Sequence, residues 1–170
     1  MEFETKHLIV KKFIPEYISV MYETWGTDKE VGRYMPGFRT DWDINGFTDY
    51  ILKTYKDAYH TRLVIQEKSS HKIVGNISLY QEDSRSKSIT IWLMQDCWNK
   101  GYGTEACAGC IEELKKTDLE CIYATCDERN VSAAKVCEKC GFELLDKIED
   151  CRKDIDGVVG NELLYDLEIK

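Results

Sequence analysis

At 170 residues, with 43% hydrophobic and 11% aromatic side chains, the chain has the length of one domain and enough apolar content to bury a core rather than stay disordered. Its 23 Lys and Arg stand against 31 Asp and Glu, a net charge of −8, which argues against the basic footprint that nucleic acid requires. The same balance suits an amine-bearing or cationic ligand, and equally serves solubility alone.

No apolar run approaches the ~20 residues that cross a bilayer. The opening Met1-Glu2-Phe3-Glu4-Thr5-Lys6 carries two acids and does not read as a secretory signal. A cytoplasmic protein with neither a membrane nor a nucleic-acid partner is expected.

Residues 6–13 read as a first strand, and Pro15 suits the first turn of a helix over about 15–25. Gly26, Gly32, Pro36 and Gly37 mark an irregular connection. Helical spacing resumes after Asp43 through Phe47, Tyr50, Ile51, Thr54 and Tyr55. Three strand candidates follow at 61–68, 72–80 and 88–94, joined by the turn Ser69-Ser70-His71 and a polar hairpin from Gln81 to Lys87. Next come a helix at 103–116, a strand at 119–126, a short helix at 131–140, and late strands near 142–149 and 161–169. An antiparallel meander, a βαβ crossover and a closing hairpin predict a mixed sheet covered by helices.

Eight cysteines include two pairs at C-x-x-C spacing, Cys107/Cys110 and Cys137/Cys140. Both pairs fall in expected helices, where i,i+3 places them on one packed face as small hydrophobes. No metal site is therefore expected, and a small zinc protein remains a competing reading that stoichiometric zinc would support.

The segment with chemistry in it is Trp98-Asn99-Lys100-Gly101-Tyr102-Gly103-Thr104-Glu105-Ala106, after a strand and at the opening of a helix. Gly101 and Gly103 let the backbone approach a bulky anion. The helix start offers unpaired N–H groups and a positive dipole end. Together they suit a pyrophosphate held by main-chain donors, with Lys100 adding charge. The segment is neither a nucleoside-triphosphate loop nor the three-glycine dinucleotide fingerprint.

A second signal follows the strand at 119–126. In Asn130-Val131-Ser132 through Gly141-Phe142, Ser132 suits an N-cap or first-turn position and Gly141 the left-handed residue after a helix. That leaves the Asn130 amide available to a ligand lying between the two βα units.

On Trp98, Gly101-x-Gly103-Thr104-Glu105-Ala106, Asn130 and Glu138-Lys139-Cys140-Gly141-Phe142, the chain resembles the GNAT acyltransferase superfamily, and within it the ribosomal-protein N-acetyltransferase-like group. The resemblance implies an α/β, single-domain GNAT fold over 1–170. Its sheet would be mixed and mostly antiparallel, of about seven strands, with a bulged fourth strand splayed from the fifth and helices on both faces. It also implies acetyl-CoA as co-substrate and attack by a neutral amine on the thioester. The pantetheine arm would pair around Leu93 and Met94, the pyrophosphate would sit on Asn99, Lys100, Gly101, Tyr102, Gly103 and Thr104, and Asn130 would bind the pantetheine region. The acceptor would be an amine-bearing molecule, either a protein N-terminus or a small amine such as a polyamine or antibiotic. A monomer and a homodimer both fit.

Three positions depart from the pattern. Cys137 stands where several members carry a thiolate-protonating tyrosine, Ser88 where this branch has a strand glutamate, and Ala133 where it has a serine. The remaining acids near the expected cleft are Glu82, Asp83, Asp96 and Asp127. Asp127, just past a strand end, is the first candidate general base and Glu82 the second, while Glu105 suits its helix start. Trp25, Tyr34, Trp42 and Tyr50 either line the acceptor pocket or pack in the core. The missing proton-transfer residues keep a non-catalytic acyl-CoA-binding module as the alternative to an enzyme.

Overall fold

The computed structural model describes every residue but Thr54, so the Thr54 position of the expected helical spacing lies outside the described residues. Strands β1 (Phe3–Glu4) and β2 (Leu8–Lys12) open the chain. Pro15, with its φ preset for helical backbone, starts a helical stretch that begins as 3-10 (Pro15–Tyr17), passes through α1 (Ile18–Met21) and widens to a π turn (Tyr22–Gly26). Then come α2 (Lys29–Gly32), α3 (Ile44–Tyr55), β3 (His60–Glu67), β4 (Ile73–Gln81), β5 (Ser86–Leu93), α4 (Tyr102–Leu114), β6 (Cys121–Asp127), α5 (Val131–Lys139), β7 (Glu143–Lys153) and β8 (Val159–Glu168).

The strands form one sheet in the order β1-β2-β3-β4-β5-β6-β8-β7. It has eight strands rather than seven because Phe3 and Glu4 pair with Val10 and Ile9, a two-residue ladder too short to show a periodicity. Every pairing is antiparallel except β5 with β6, which α4 joins as the crossover.

Alternation along the strands divides the core in two. Leu63 and Ile65 face one way with Leu8, Ile77, Ile111 and Ile122, under α4 and α5. Val64, between them, faces the other way with Phe13, Met21, Trp25, Phe47 and Ile51, under α1 to α3. Trp25 is 1% exposed in this second core, and Trp42 lies tilted against Tyr50 at 4.6 Å between centroids. These aromatics pack in the helical layer. Tyr34 lies under the Arg129 guanidinium, 5.6 Å from its centroid.

The cysteine pairs also belong to helix packing. Cys107, Cys110 and Cys137 are buried, and Cys140 is half-buried at the end of α5, where its thiol donates to the Thr104 carbonyl at 3.6 Å. Burial pushes the Cys110 and Cys137 thiols up to about 12. Among the described residues, no three His, Cys, Asp or Glu side chains gather as a metal site would require.

Candidate active site

The site begins where two strands stop pairing. β5 and β6 run parallel through Ser86↔Cys121, Lys87↔Ile122 and Ser88↔Tyr123. Both strands continue beyond, β5 to Leu93 and β6 to Asp127, without further pairing among the described residues. The β4–β5 ladder meanwhile keeps one register from Gln81↔Lys87 to Gly75↔Leu93, so the bulge implied for the splayed strand is not in this ladder. The register shift in this part of the sheet falls instead between Ile65 and Gln66 of β3.

The ladder's phase determines which backbone groups face the gap. Glu82 N–H donates to Ser86 O at 3.1 Å and Met94 N–H to Val74 O at 2.9 Å, so even-numbered residues of β5 turn their N–H and C=O toward β4. In an antiparallel ladder the intervening residues turn theirs the opposite way. Ile91 and Leu93 therefore present backbone groups to the gap. Met94 does not, which corrects the expectation that it pairs with a ligand arm. The Leu93 carbonyl already accepts from Trp98 Nε1 at 2.8 Å, leaving Ile91 N–H, Ile91 C=O and Leu93 N–H.

At the C-terminal end of this gap the chain turns into α4. Asn99 has φ 60° and Gly101 φ 81°, left-handed backbone that asparagine and glycine adopt most readily. Gly101 is the N-cap of α4 and supplies no side-chain bond, so the first-turn N–H groups of Tyr102, Gly103 and Thr104 point outward. A Cβ on Gly101 would meet nothing within 4 Å, whereas one on Gly103 would press Val136 Cγ2 at 3.3 Å and Leu93 Cδ1 at 3.7 Å. The loop is thus open on its outer side and closely packed between β5 and α5 on its inner side. This donor set fits a pyrophosphate. Tyr102 Oη donates to Glu67 Oε1 at 2.7 Å, a bond that holds its phenol up to about 12. Lys100 Nζ lies 6.0 Å from the Tyr102 centroid. Glu105 accepts from His7 N–H at 2.6 Å and contacts His7 Nδ1 at 2.8 Å, tying the first turn of α4 to the start of β2.

Asn130 stands three residues beyond the end of β6, where α5 begins. It is the N-cap of α5, its Oδ1 accepting from Ala133 N–H at 3.2 Å. Of the two positions that suited Ser132, N-cap or first turn, the helix gives it the first turn. Asn130 is thus structurally employed through its oxygen, with Nδ2 left as a donor.

The candidate bases fare differently. Asp127 is 1% exposed, and Arg129 takes both its oxygens. Oδ1 accepts from Arg129 N–H and Nε, each at 2.9 Å, and Oδ2 from Nη2 at 2.7 Å. Those Arg129 bonds hold its carboxyl below the usual carboxylate range despite the burial. A carboxylate so engaged is a weak proton acceptor, and its evident work is to anchor Arg129, which also binds Asp154 at 3.0 Å. Glu82 is exposed in the β4–β5 hairpin. Its backbone is level with Ser86, five residues before Ile91, about 16 Å along a strand at ~3.3 Å per residue. Asp96 is exposed in a short 3-10 turn, Gln95–Cys97.

A cleft of about 370 Å³ opens on the sheet face opposite α4 and α5, over the last β5–β6 pairs. Ser86, Ser88 and Thr90 of β5 and Tyr123 and Thr125 of β6 line it, with Glu82 and Asp83 at the hairpin end. The hydroxyl row was readable in Ser86-Lys87-Ser88-Ile89-Thr90, whose period of two puts all three hydroxyls on one face.

The acetyltransferase (GNAT) domain profile matches residues 7–143. The chain belongs to the GNAT acetyltransferase family. Solved structures agree in fold. An acetyltransferase (GNAT family) from Bacillus anthracis shares 20% identity over 99% of each chain with TM-score 0.85. A ribosomal-protein alpha-N-protein acetyltransferase, solved with coenzyme A, shares 10% over 99% of this chain and 98% of its own with TM-score 0.88. A spermidine N-acetyltransferase from Vibrio cholerae, solved with CoA and spermine, shares 14% over 95% of each chain with TM-score 0.82. In this acetyltransferase the glycine loop opens α4 just beyond the splayed end of β5. No helix among the described residues is long and apolar enough to cross a membrane.

Proposed function

We propose that residues 1–170 form a single cytoplasmic domain that moves an acetyl group from acetyl-CoA to the primary amine of a small molecule. The observation that carries the reading is the gap itself: Ile91 and Leu93 backbone groups facing away from β4 beyond the last β5–β6 pair, with the open N-terminus of α4 at its end. Acetyl-CoA supplies an activated acyl thioester. The N–H groups of Tyr102, Gly103 and Thr104, with Lys100 and the Asn99–Gly101 turn, would hold its pyrophosphate. Leu93 N–H and Asn130 Nδ2 would hold the pantetheine arm. Ile91 N–H is the fixed donor suited to a developing oxyanion.

Fixing amine and carbonyl together can supply much of the rate. We assign neither Asp127 nor Glu82 as a direct base, because Arg129 occupies the first and distance removes the second. Ser88, Thr90 and Thr125 would orient the neutral amine and the waters that carry its proton out along the cleft. Cys137, with its thiol at about 12 through burial, offers no acid matched to neutral pH. A small amine suits this cleft better than a protein N-terminus, because the hairpin carboxylates bound one end of a space of about 370 Å³. Free-thiol release on adding amine to enzyme and acetyl-CoA tests the reading. Binding without release for every amine would favour the acyl-CoA-binding module, to which the departures at Ser88, Ala133 and Cys137 already lend support.

A further inference from the structure

Residues 28–34, which include α2, are fastened to both of the strands that splay. At the β5 end, Asp28 caps α2 through the N–H groups of Glu30 and Val31. It also accepts from Gln95 Nε2 at 2.9 Å, two residues past Leu93. At the β6 end, the Arg152 guanidinium joins Tyr34 O, at 3.4 Å, to Thr125 Oγ1, at 3.1 Å, and Thr125 lines the cleft. The segment thus runs from one splayed strand to the other. The tip of the β7–β8 hairpin holds it as well. Ile155 N–H donates to Arg33 O at 2.9 Å, and Lys29 Nζ pairs with Asp156 at 2.6 Å. That pair is about half exposed and contributes little alone.

Arg129, in the β6–α5 turn, binds all three pieces. Its Nε and Nη2 hold Asp127, the last residue of β6, at 2.9 and 2.7 Å. Nη1 donates to Asp154 Oδ2 at 3.0 Å and Nη2 to Val158 O at 3.2 Å, the two ends of the hairpin tip. Asp154 keeps that tip folded, its Oδ1 accepting from the N–H groups of Asp156 and Val158. The guanidinium lies over the Tyr34 ring, 5.6 Å from its centroid. Gly160 makes room for it: a Cβ there would stand 2.8 to 2.9 Å from Nη2, Cζ and Nε. Gly160 pairs with Arg152 across β7 and β8 and is not among the glycines of positive φ, so it is the guanidinium, not the backbone, that calls for glycine there.

We propose that Arg129 is a positioning residue for the acceptor: by clamping the hairpin tip and Tyr34 to the end of β6, it fixes residues 28–34 across the splay and so sets a wall of the amine's site. The inference rests on the proposed acetyl transfer. Asp127 becomes the buried counter-charge that holds the clamp in place. A planar fork that spreads its N–H groups over separate partners while its face lies on a ring is work that lysine cannot do.

The test leaves Arg129 itself in place, because its removal would strand two carboxylates that are 1% and 7% exposed and endanger the fold. Gly160→Ala presses on the guanidinium, Tyr34→Ala removes the ring beneath it, and Tyr34→Phe keeps that ring. Thiol release is measured at saturating acetyl-CoA with butylamine, 1,4-diaminobutane or glycylglycine varied. CoA affinity is read by calorimetry, and backbone hydrogen exchange is followed over 28–34 and 154–158. Gly160→Ala and Tyr34→Ala are each expected to raise the amine KM about two- to fivefold, the scale of one cation–π contact, and to speed exchange in both segments. Their kcat and CoA affinity should stay within about twofold of wild type, the mark of lost acceptor binding alone, and Tyr34→Phe should match wild type. Gly160 offers no side chain to an amine, so a KM effect shared with Tyr34→Ala reports the clamp and not a lost contact. Turnover with an unmoved amine KM in both alanine variants, or CoA affinity that falls as far as the KM rises, overturns the clamp alone. A wild type that releases no thiol with any of these amines defeats the transferase reading and the positioning role with it.

Discussion

Asn130 separates two roles that one side chain combines, and two substitutions should separate them in the laboratory. Its Oδ1 caps α5 through Ala133 N–H at 3.2 Å, and its Nδ2 is the donor proposed for the ligand. Asn130→Ala removes both. Losing an N-cap costs about 1 kcal/mol, a fall in Tm of about 2–4 °C for a chain of this size. Asn130→Asp keeps an oxygen at the cap and adds a charge that suits a helix N-terminus, so Tm should stay near wild type. It has no N–H to offer. A hydrogen bond worth about 0.5–1.5 kcal/mol corresponds to acetyl-CoA binding weakened by about two- to tenfold. Differential scanning calorimetry without ligand and isothermal titration with acetyl-CoA measure the two effects separately. Wild-type affinity in Asn130→Asp would reduce Asn130 to a cap and remove it from the binding site.

The other expectations are more compact. Gly101→Val forces a β-branched residue to φ 81°, a strain of about 1–2 kcal/mol. It should lower Tm and weaken acetyl-CoA binding in calorimetry, with Gly101→Asn closer to wild type. Asp127→Asn should destabilise the protein at neutral pH by about 1–3 kcal/mol through the lost charge-assisted bonds to Arg129. Because the folded Asp127 carboxyl titrates below its ordinary value, its contribution is fully present above about pH 4 and vanishes as pH falls through the folded value. Acid unfolding curves should therefore converge for wild type and variant at low pH. The same variant should keep most of its kcat, whereas removing a true general base costs about a hundredfold or more. Finally, kcat/KM for the amine should climb with pH toward the acceptor's own pKa without an inflection in the carboxylate range, and such an inflection would restore a carboxylate base.

Much of this architecture was legible because its signals are local. The glycines at 101 and 103 announced an open helix start, which the structure has at Gly101. Apolar runs in 61–68 and 72–80, separated by the turn Ser69-Ser70-His71, announced strands that the sheet contains as β3 and β4. What escaped depends on pairing between distant segments. The two-residue β1 exists only because β2 offers it an edge. Ladder phase turned the backbone of Met94 toward Val74, and no residue type encodes phase. Asp127 read as a free acid because Arg129, two residues on, turns back to enclose it only in the folded β6–α5 turn. Ser88, which departs from the branch's glutamate, stands in a row of hydroxyls that lines the cleft.

The most direct test of the central claim is a titration of acetyl-CoA into the purified protein, followed in the same samples by free thiol on addition of an amine. Saturable one-site binding with amine-dependent thiol release is the predicted result. No binding would contradict the assignment of the β5–β6 gap and the α4 N-terminus as the acyl donor's site.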